Sequence, residues 1–199
     1  MRDESKLRRL VFGAFIIAIE ILLSITPFGY IPIGVLHITT MHLPVILAGM
    51  TLGPIYGGAV GFVFGLSSML RATFVPNMTS FCFSPFITVG HTQGNFASLL
   101  IAFLPRIFLG INAGFLSKKR HAPWIYGIGA GLCTLVHTLS VLILIAIFFN
   151  TAYTAVIKMS IGTLIISILL SNGIVEILLA AFTIPPIINA LERIGIKHG

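Results

Sequence analysis

Residues 124–149 read WIYGIGAGLCTLVHTLSVLILIAIFF, and this run, uninterrupted by any charged side chain, decides the fold class. A helix rises about 1.5 Å per residue, so about 20 apolar residues cross the roughly 30 Å hydrocarbon core of a bilayer. The run is long enough to do so as one helix. Five further stretches of similar character flank it: Leu10 to Thr26, Ile38 to Leu52, Ile55 to Leu70, Phe96 to Leu116, and Ser160 to about Ala190. The second and third are short and separated by the Gly53-Pro54 turn, and the last is expected to end at Pro185 and Pro186. The basic N-terminus and the apolar run up to Pro27 lack an A-x-A cleavage site, so this segment reads as a retained first helix.

Composition agrees. Of the 199 residues 57% are hydrophobic and 9% charged, with a mean hydropathy of +1.07, whereas soluble domains carry about 25% charged residues. The net charge of +7 does not mark a nucleic-acid surface, because the basic residues flank the apolar stretches. Arg2, Lys6, Arg8 and Arg9 open the chain, Lys118, Lys119 and Arg120 interrupt it, and Arg193 and Lys197 close it. If all three clusters are cytoplasmic, four spans and then two must separate them. The expected fold is therefore all-α: residues 1–199 as one domain, six transmembrane helices in a single bundle, both termini cytoplasmic. The outward loops would contain residues 27–37, 71–95 and 150–159, with Arg71 and Lys158 as their charges.

No phosphate loop, HExxH or GxSxG motif occurs, so the chain is expected to be neither an ATPase nor a hydrolase. Cys82 and Cys133 have no ligand spacing, and His37, His42 and His91 match no metal motif, so no metal or cofactor is expected. Ionisable groups at membrane depth are the functional candidates: Glu20, Arg106, His137 and Glu176. Arg106, His137 and Glu176 fall near the middle of their spans. Arg106 either pairs with Glu176 or meets an anionic ligand. Asn112 and Asn172 read as interhelical glue or as ligand contacts.

Residues 71–95 hold Phe74, Phe81, Phe83 and Phe86 together with Asn77, Ser80, Ser84, Thr88, His91 and Gln93. That mixture suits a lid over a pocket, the alternative being an interfacial aromatic belt. Small residues recur every four positions: Ala14 and Ala18; Gly57, Gly61 and Gly65; Gly110 and Gly114; Gly127 and Gly131. Such smooth faces serve helix contacts within the chain or with a partner subunit.

The segment from Gly29 to Gly34, then His37 to Ile46, followed by Leu52 to Ala59 with Gly61, Phe64, Gly65, Leu66 and Ser67, resembles the substrate-binding S components of energy-coupling factor (ECF) vitamin transporters. Asn77, Thr79 to Phe81, Phe83 to Phe86, and Pro105-Arg106 with Gly110 extend the resemblance over essentially the whole chain. It implies a non-catalytic subunit of a prokaryotic cell membrane that captures a vitamin. The partners implied are a transmembrane coupling subunit and two cytoplasmic ATPase subunits. Ala14 and Ala18 match the family's small-residue motif that docks the coupling subunit. The loop and lid patterns are most similar to pantothenate-type S components, with hydroxymethylpyrimidine and pyridoxine as alternatives. The candidate substrate contacts are Arg71, Asn77, His37, Thr40, Ser84, His91, Arg106, Asn112, His137 and Asn172. The competing readings are an autonomous proton-coupled transporter using Glu20, His137 and Glu176, and a ligand-free scaffold.

Overall fold

A computed structural model describes residues 2–33, 36–116, 122–158 and 160–193. Helix α1 runs Arg2–Ile25 and stops before Pro27, where a 3-10 turn, Pro27–Gly29, leads into an antiparallel hairpin of β1, Tyr30–Ile33, and β2, Leu36–Thr39. Helix α2, His42–Leu52, has Pro44 in its first turn, where no intrahelical N–H is needed. Gly53 then adopts φ 97°, a conformation that glycine enters without steric cost, and Pro54 starts α3, Pro54–Phe74. A second hairpin, β3 Thr88–Val89 and β4 Thr92–Gln93, precedes α4, Phe96–Leu116. Helix α5, Pro123–Ile157, follows. The last rod is α6, Ile161–Ile168, a π turn Leu169–Gly173, and α7, Ile174–Arg193.

Counting α6 and α7 as one rod, the described residues form six helices. Among the described residues, four segments are long and apolar enough to cross a membrane alone: Pro54–Phe74, Phe96–Leu116, Pro123–Val156 and Ile165–Arg193. Helix α2, with 11 residues, rises only about 16 Å. Helix α1 carries Arg8, Arg9 and Glu20.

Several expected boundaries move. Arg71 lies within the last turn of α3 and not in a loop, because α3 continues to Phe74. The expected loop 150–159 is largely helical: α5 only bends at Phe149 (φ −128°, ψ 17°) and continues to Ile157, capped by Lys158 in the left-handed region. Pro185 and Pro186 do not end the last helix. They sit inside α7, where Pro185 packs near Gly127 of α5, and neighbouring helices support a backbone that a proline leaves short of one hydrogen bond. The two hairpins are the additions to an all-helical expectation.

The small-residue faces are mostly used inside the chain. A Cβ added at Gly57 would meet the carbonyl oxygen of Gly110, and one at Gly110 would meet that of Gly57. Gly49 of α2 also faces Gly110, Gly61 faces the Arg106 carbonyl, and Gly65 faces that of Ala102. Helices α2, α3 and α4 thus touch backbone to backbone, the contact that substitutes for hydrophobic association where lipid is the solvent. Gly127 faces the Ala181 carbonyl and joins α5 to α7. Ala14 and Ala18 are different: both are exposed on α1, among exposed Val11, Phe15 and Leu22.

Arg9 donates to the Leu52 carbonyl at 2.6 Å, and the Tyr126 hydroxyl lies 3.4 Å from Glu192. The start of α1, the end of α2, the start of α5 and the end of α7 therefore share one end of the bundle. Both hairpins lie at the other. There, Phe81, Cys82, Ile101, Ile145, Phe149 and Tyr153 form a second apolar core distinct from the central one. The Phe81 ring meets Phe149 edge-on at 5.5 Å and Tyr153 at 6.3 Å, and Ser98 donates to the Phe81 carbonyl at 2.7 Å. The segment after α3 is accordingly a packed cover. Phe81→Ala removes the centre of that cluster, a loss worth about 3–5 kcal/mol in other cores. Hydrogen exchange should then speed up across residues 77–95 while α3 and α4 stay protected. Unchanged exchange in the cover would contradict this.

Candidate substrate-binding site

The cover closes over a group of buried polar side chains, and its centre is the Pro105-Arg106 pair of α4. Proline has no N–H, so Pro105 leaves the Ile101 carbonyl without its helical donor. The Arg106 guanidinium turns back and donates to that carbonyl. The Pro105 carbonyl lies 3.3 Å from His137 Nδ1 of α5. One proline thus orients two site residues.

Arg106 is only 6% exposed, and its guanidinium lies between two aromatic rings, 5.4 Å from the centroid of Phe64 on α3 and 5.1 Å from that of Phe83 on the cover. Its Nε has no hydrogen-bond partner. The expected choice between an ion pair and a ligand is resolved at the level of contact: among the described residues Arg106 forms no ion pair with Glu176. Glu176 Oε1 instead accepts from Thr39 N at 2.8 Å and Thr39 Oγ1 at 3.0 Å, tying α7 to the first hairpin. The cation remains within electrostatic reach of Glu176 and of Tyr30.

Tyr30, on the first hairpin, packs on α3. Arg71 lies over its ring at 4.4 Å, and its hydroxyl is 3.4 Å from Ser68 Oγ. Burial pushes the Tyr30 phenol above its ordinary range, and Ser68, Arg106 and Arg71 oppose that shift. Further buried polar atoms have no hydrogen-bond partner: both oxygens of Glu20, both ring nitrogens of His42, and Thr138 Oγ1. Buried polar groups are nearly always paired, by protein, water or ligand. Together with the Nε of Arg106, these are the buried side-chain atoms that lack a hydrogen-bond partner among the described residues.

The remaining sequence candidates are placed as follows. His137 is buried against the Phe64 ring at 6.0 Å and belongs to the group. Ser84 is buried in the cover, 2.7 Å from Thr73 Oγ1, where it holds the cover to α3. Asn77 Oδ1 accepts from Thr79 N and Thr79 Oγ1, each at 2.9 Å, which shapes a turn on the exposed side of the cover. His91 is exposed at the tip of the second hairpin, next to Gly90. Thr40 Oγ1 donates to the Phe28 carbonyl at 2.8 Å. Asn172 sits in the π turn, two residues before Ile174 begins α7, and Asn112 is half-buried toward the end of α4 nearest the termini. His37 pairs in register with Pro32, but its side chain lies outside the described residues.

Tyr30, His42 and Phe64 were not among the expected substrate contacts, and Glu20 and Phe83 were expected only as a membrane-depth ionisable group and as part of the lid. A signal existed for Glu20: Gly13, Ile16 and Glu20 follow helical spacing and all are buried, opposite Ala14 and Ala18. Tyr30 and Phe83 carry no such signal, because only the folding of their loops brings Tyr30 under Arg71 and Phe83 beside Arg106.

Buried ionisable side chains inside a bundle of apolar helices fit a membrane-embedded binding subunit, and among the described residues no grouping of His, Cys, Asp or Glu is suited to hold a metal ion. The ECF transporter substrate-specific component family matches residues 8–188, and the chain belongs to that family. It is an integral membrane, substrate-binding transport subunit and not an enzyme. It is also 33% identical over 188 residues to the pantothenic acid transporter PanT of Lactococcus lactis subsp. cremoris (strain MG1363), covering 92% of this chain and 91% of that protein.

Proposed function

We propose that this chain is the pantothenate-binding S component of an ECF importer, working with a transmembrane coupling subunit and two cytoplasmic ATPase subunits. The observation that carries the reading is Arg106, a buried cation held by aromatic rings and a backbone carbonyl, with no carboxylate in contact and Nε unpaired. A carboxylate ligand supplies what such a site lacks, and guanidinium–carboxylate hydrogen bonds are among the stronger kind. Pantothenate has a carboxylate at one end, an amide in the middle and two hydroxyls at the other. The likeness to PanT favours it over other vitamins.

Arg8, Arg9 and Arg193 gather at the end where both termini lie, which supports a cytoplasmic position for that end and an outward-facing cover. The exposed face of Ala14 and Ala18 is a surface for the coupling subunit, since small side chains let another helix approach closely.

Calorimetry of the detergent-purified chain against pantothenate, pyridoxine and hydroxymethylpyrimidine tests the substrate. Pantothenate is expected to bind with Kd below about 1 μM, a free energy beyond about −8 kcal/mol. Liposomes holding this chain alone should show no uptake. Proton-driven uptake by the solitary chain, or selective binding of another vitamin, would overturn the reading.

A further inference from the structure

We infer that Glu20 of α1, with His42 of α2, forms the specificity anchor that recognises the hydroxyl-bearing end of the ligand, opposite the arginine that takes its charge. This rests on the proposed binding function and adds a residue to it. Glu20 is 0% exposed, and neither carboxyl oxygen has a hydrogen-bond partner. His42 is 1% exposed, and its ring lies near the Thr39 and Glu176 backbone without reaching hydrogen-bond geometry at either nitrogen.

Tyr30, on the first hairpin, lies within electrostatic reach of both Glu20 and Arg106. The guanidinium suits a carboxylate. A carboxyl and an imidazole without partners suit O–H or N–H groups, since a carboxyl oxygen accepts in either protonation state and an imidazole both donates and accepts. Hydrophobic walls discriminate weakly between a ligand and its deoxy form, whereas a buried acceptor left without its donor discriminates strongly. The central core around Ile16, Met41, Val45 and Phe64 would accept an apolar residue at position 20 on packing grounds. An unpaired carboxyl there weakens the empty protein. Retaining it makes sense if the ligand completes it.

The test compares the wild type with Glu20→Leu and Glu20→Gln, using pantothenate and the dideoxy analogue that keeps the carboxylate and amide but lacks both hydroxyls. Thermal unfolding without ligand is measured in parallel. The wild type is expected to prefer pantothenate by at least about a hundredfold, and Glu20→Leu to reduce that preference to about tenfold or less, mainly by losing affinity for pantothenate. Glu20→Leu should also unfold at a higher temperature than the wild type when empty, while Glu20→Gln, similar in shape, separates loss of charge from loss of polarity. The inference is overturned if both ligands keep their ratio in Glu20→Leu, or if that variant is less stable when empty, which would make Glu20 a structural residue. If the wild type binds pyridoxine and not pantothenate, the pantothenate reading falls, and Glu20 is judged by the same ratio between pyridoxine and deoxypyridoxine. Binding of neither sinks both.

Discussion

Arg106→Ala is expected to weaken pantothenate binding by at least a hundredfold, about 3 kcal/mol, since truncating one member of a buried charged pair costs about 2–5 kcal/mol. The effect is large because nothing nearby replaces the group. The guanidinium is almost fully enclosed, its orientation is set by the carbonyl that Pro105 leaves open, and its flanking neighbours are the rings of Phe64 and Phe83. Arg106→Lys keeps the charge but loses the planar fork, so an intermediate affinity is expected. Arg71→Ala should cost less, because Arg71 is half-buried over Tyr30 and helps hold the first hairpin in place. Calorimetry on variants shown to be folded by thermal unfolding checks the order. A folded Arg106→Ala protein with wild-type affinity would remove the anchor from the site.

Gly110→Val is the second large effect, and it falls on folding. A Cβ at Gly110 would overlap the Gly57 carbonyl group and approach Gly57 Cα to 2.9 Å, while Gly57 itself packs against Gly110 and Gly49. These are backbone atoms of three converging helices, which cannot rotate aside as a side chain can. Overpacking typically costs about 1–3 kcal/mol where side chains yield, and this contact leaves no side chain to yield, so a loss beyond about 3 kcal/mol is expected. The variant should fail to give a monodisperse protein in detergent. Gly162→Val is the control, because Gly162 has nothing within 4 Å of an added Cβ and is exposed on α6. Comparable purification and melting of the two variants would show that close contact between α3 and α4 does not limit stability.

Much of the architecture was legible in the sequence. The unbroken run at 124–149 and the charge-bounded stretches around it identify membrane helices, because the need to satisfy every backbone group in lipid leaves few alternatives. The Gly53-Pro54 turn was readable from local chemistry alone. Helix ends were less so: Pro185 and Pro186 look like a stop, yet contact with α5 lets the helix continue to Arg193. The π turn at Leu169–Gly173 has no simple sequence signal.

The site divides along the same line. Arg106 and His137 could be picked out because an ionisable group at membrane depth is costly wherever it points. Whether Arg106 meets Glu176, Tyr30 or a ligand depends on how α4, α7 and the first hairpin are placed, and Thr39 rather than Arg106 takes Glu176 Oε1. The sequence by itself determined that the chain lives in the membrane, where its helices run and which charges need an explanation, because those are consequences of local hydrophobicity and length. Only the tertiary structure decided that Glu20 and His42 are buried without hydrogen-bond partners, that Tyr30 sits under Arg71 and that Arg106 lies beside Phe64 and Phe83. They come from α1, α2, a hairpin and α4, and long-range placement of separate elements leaves no periodic mark in the chain.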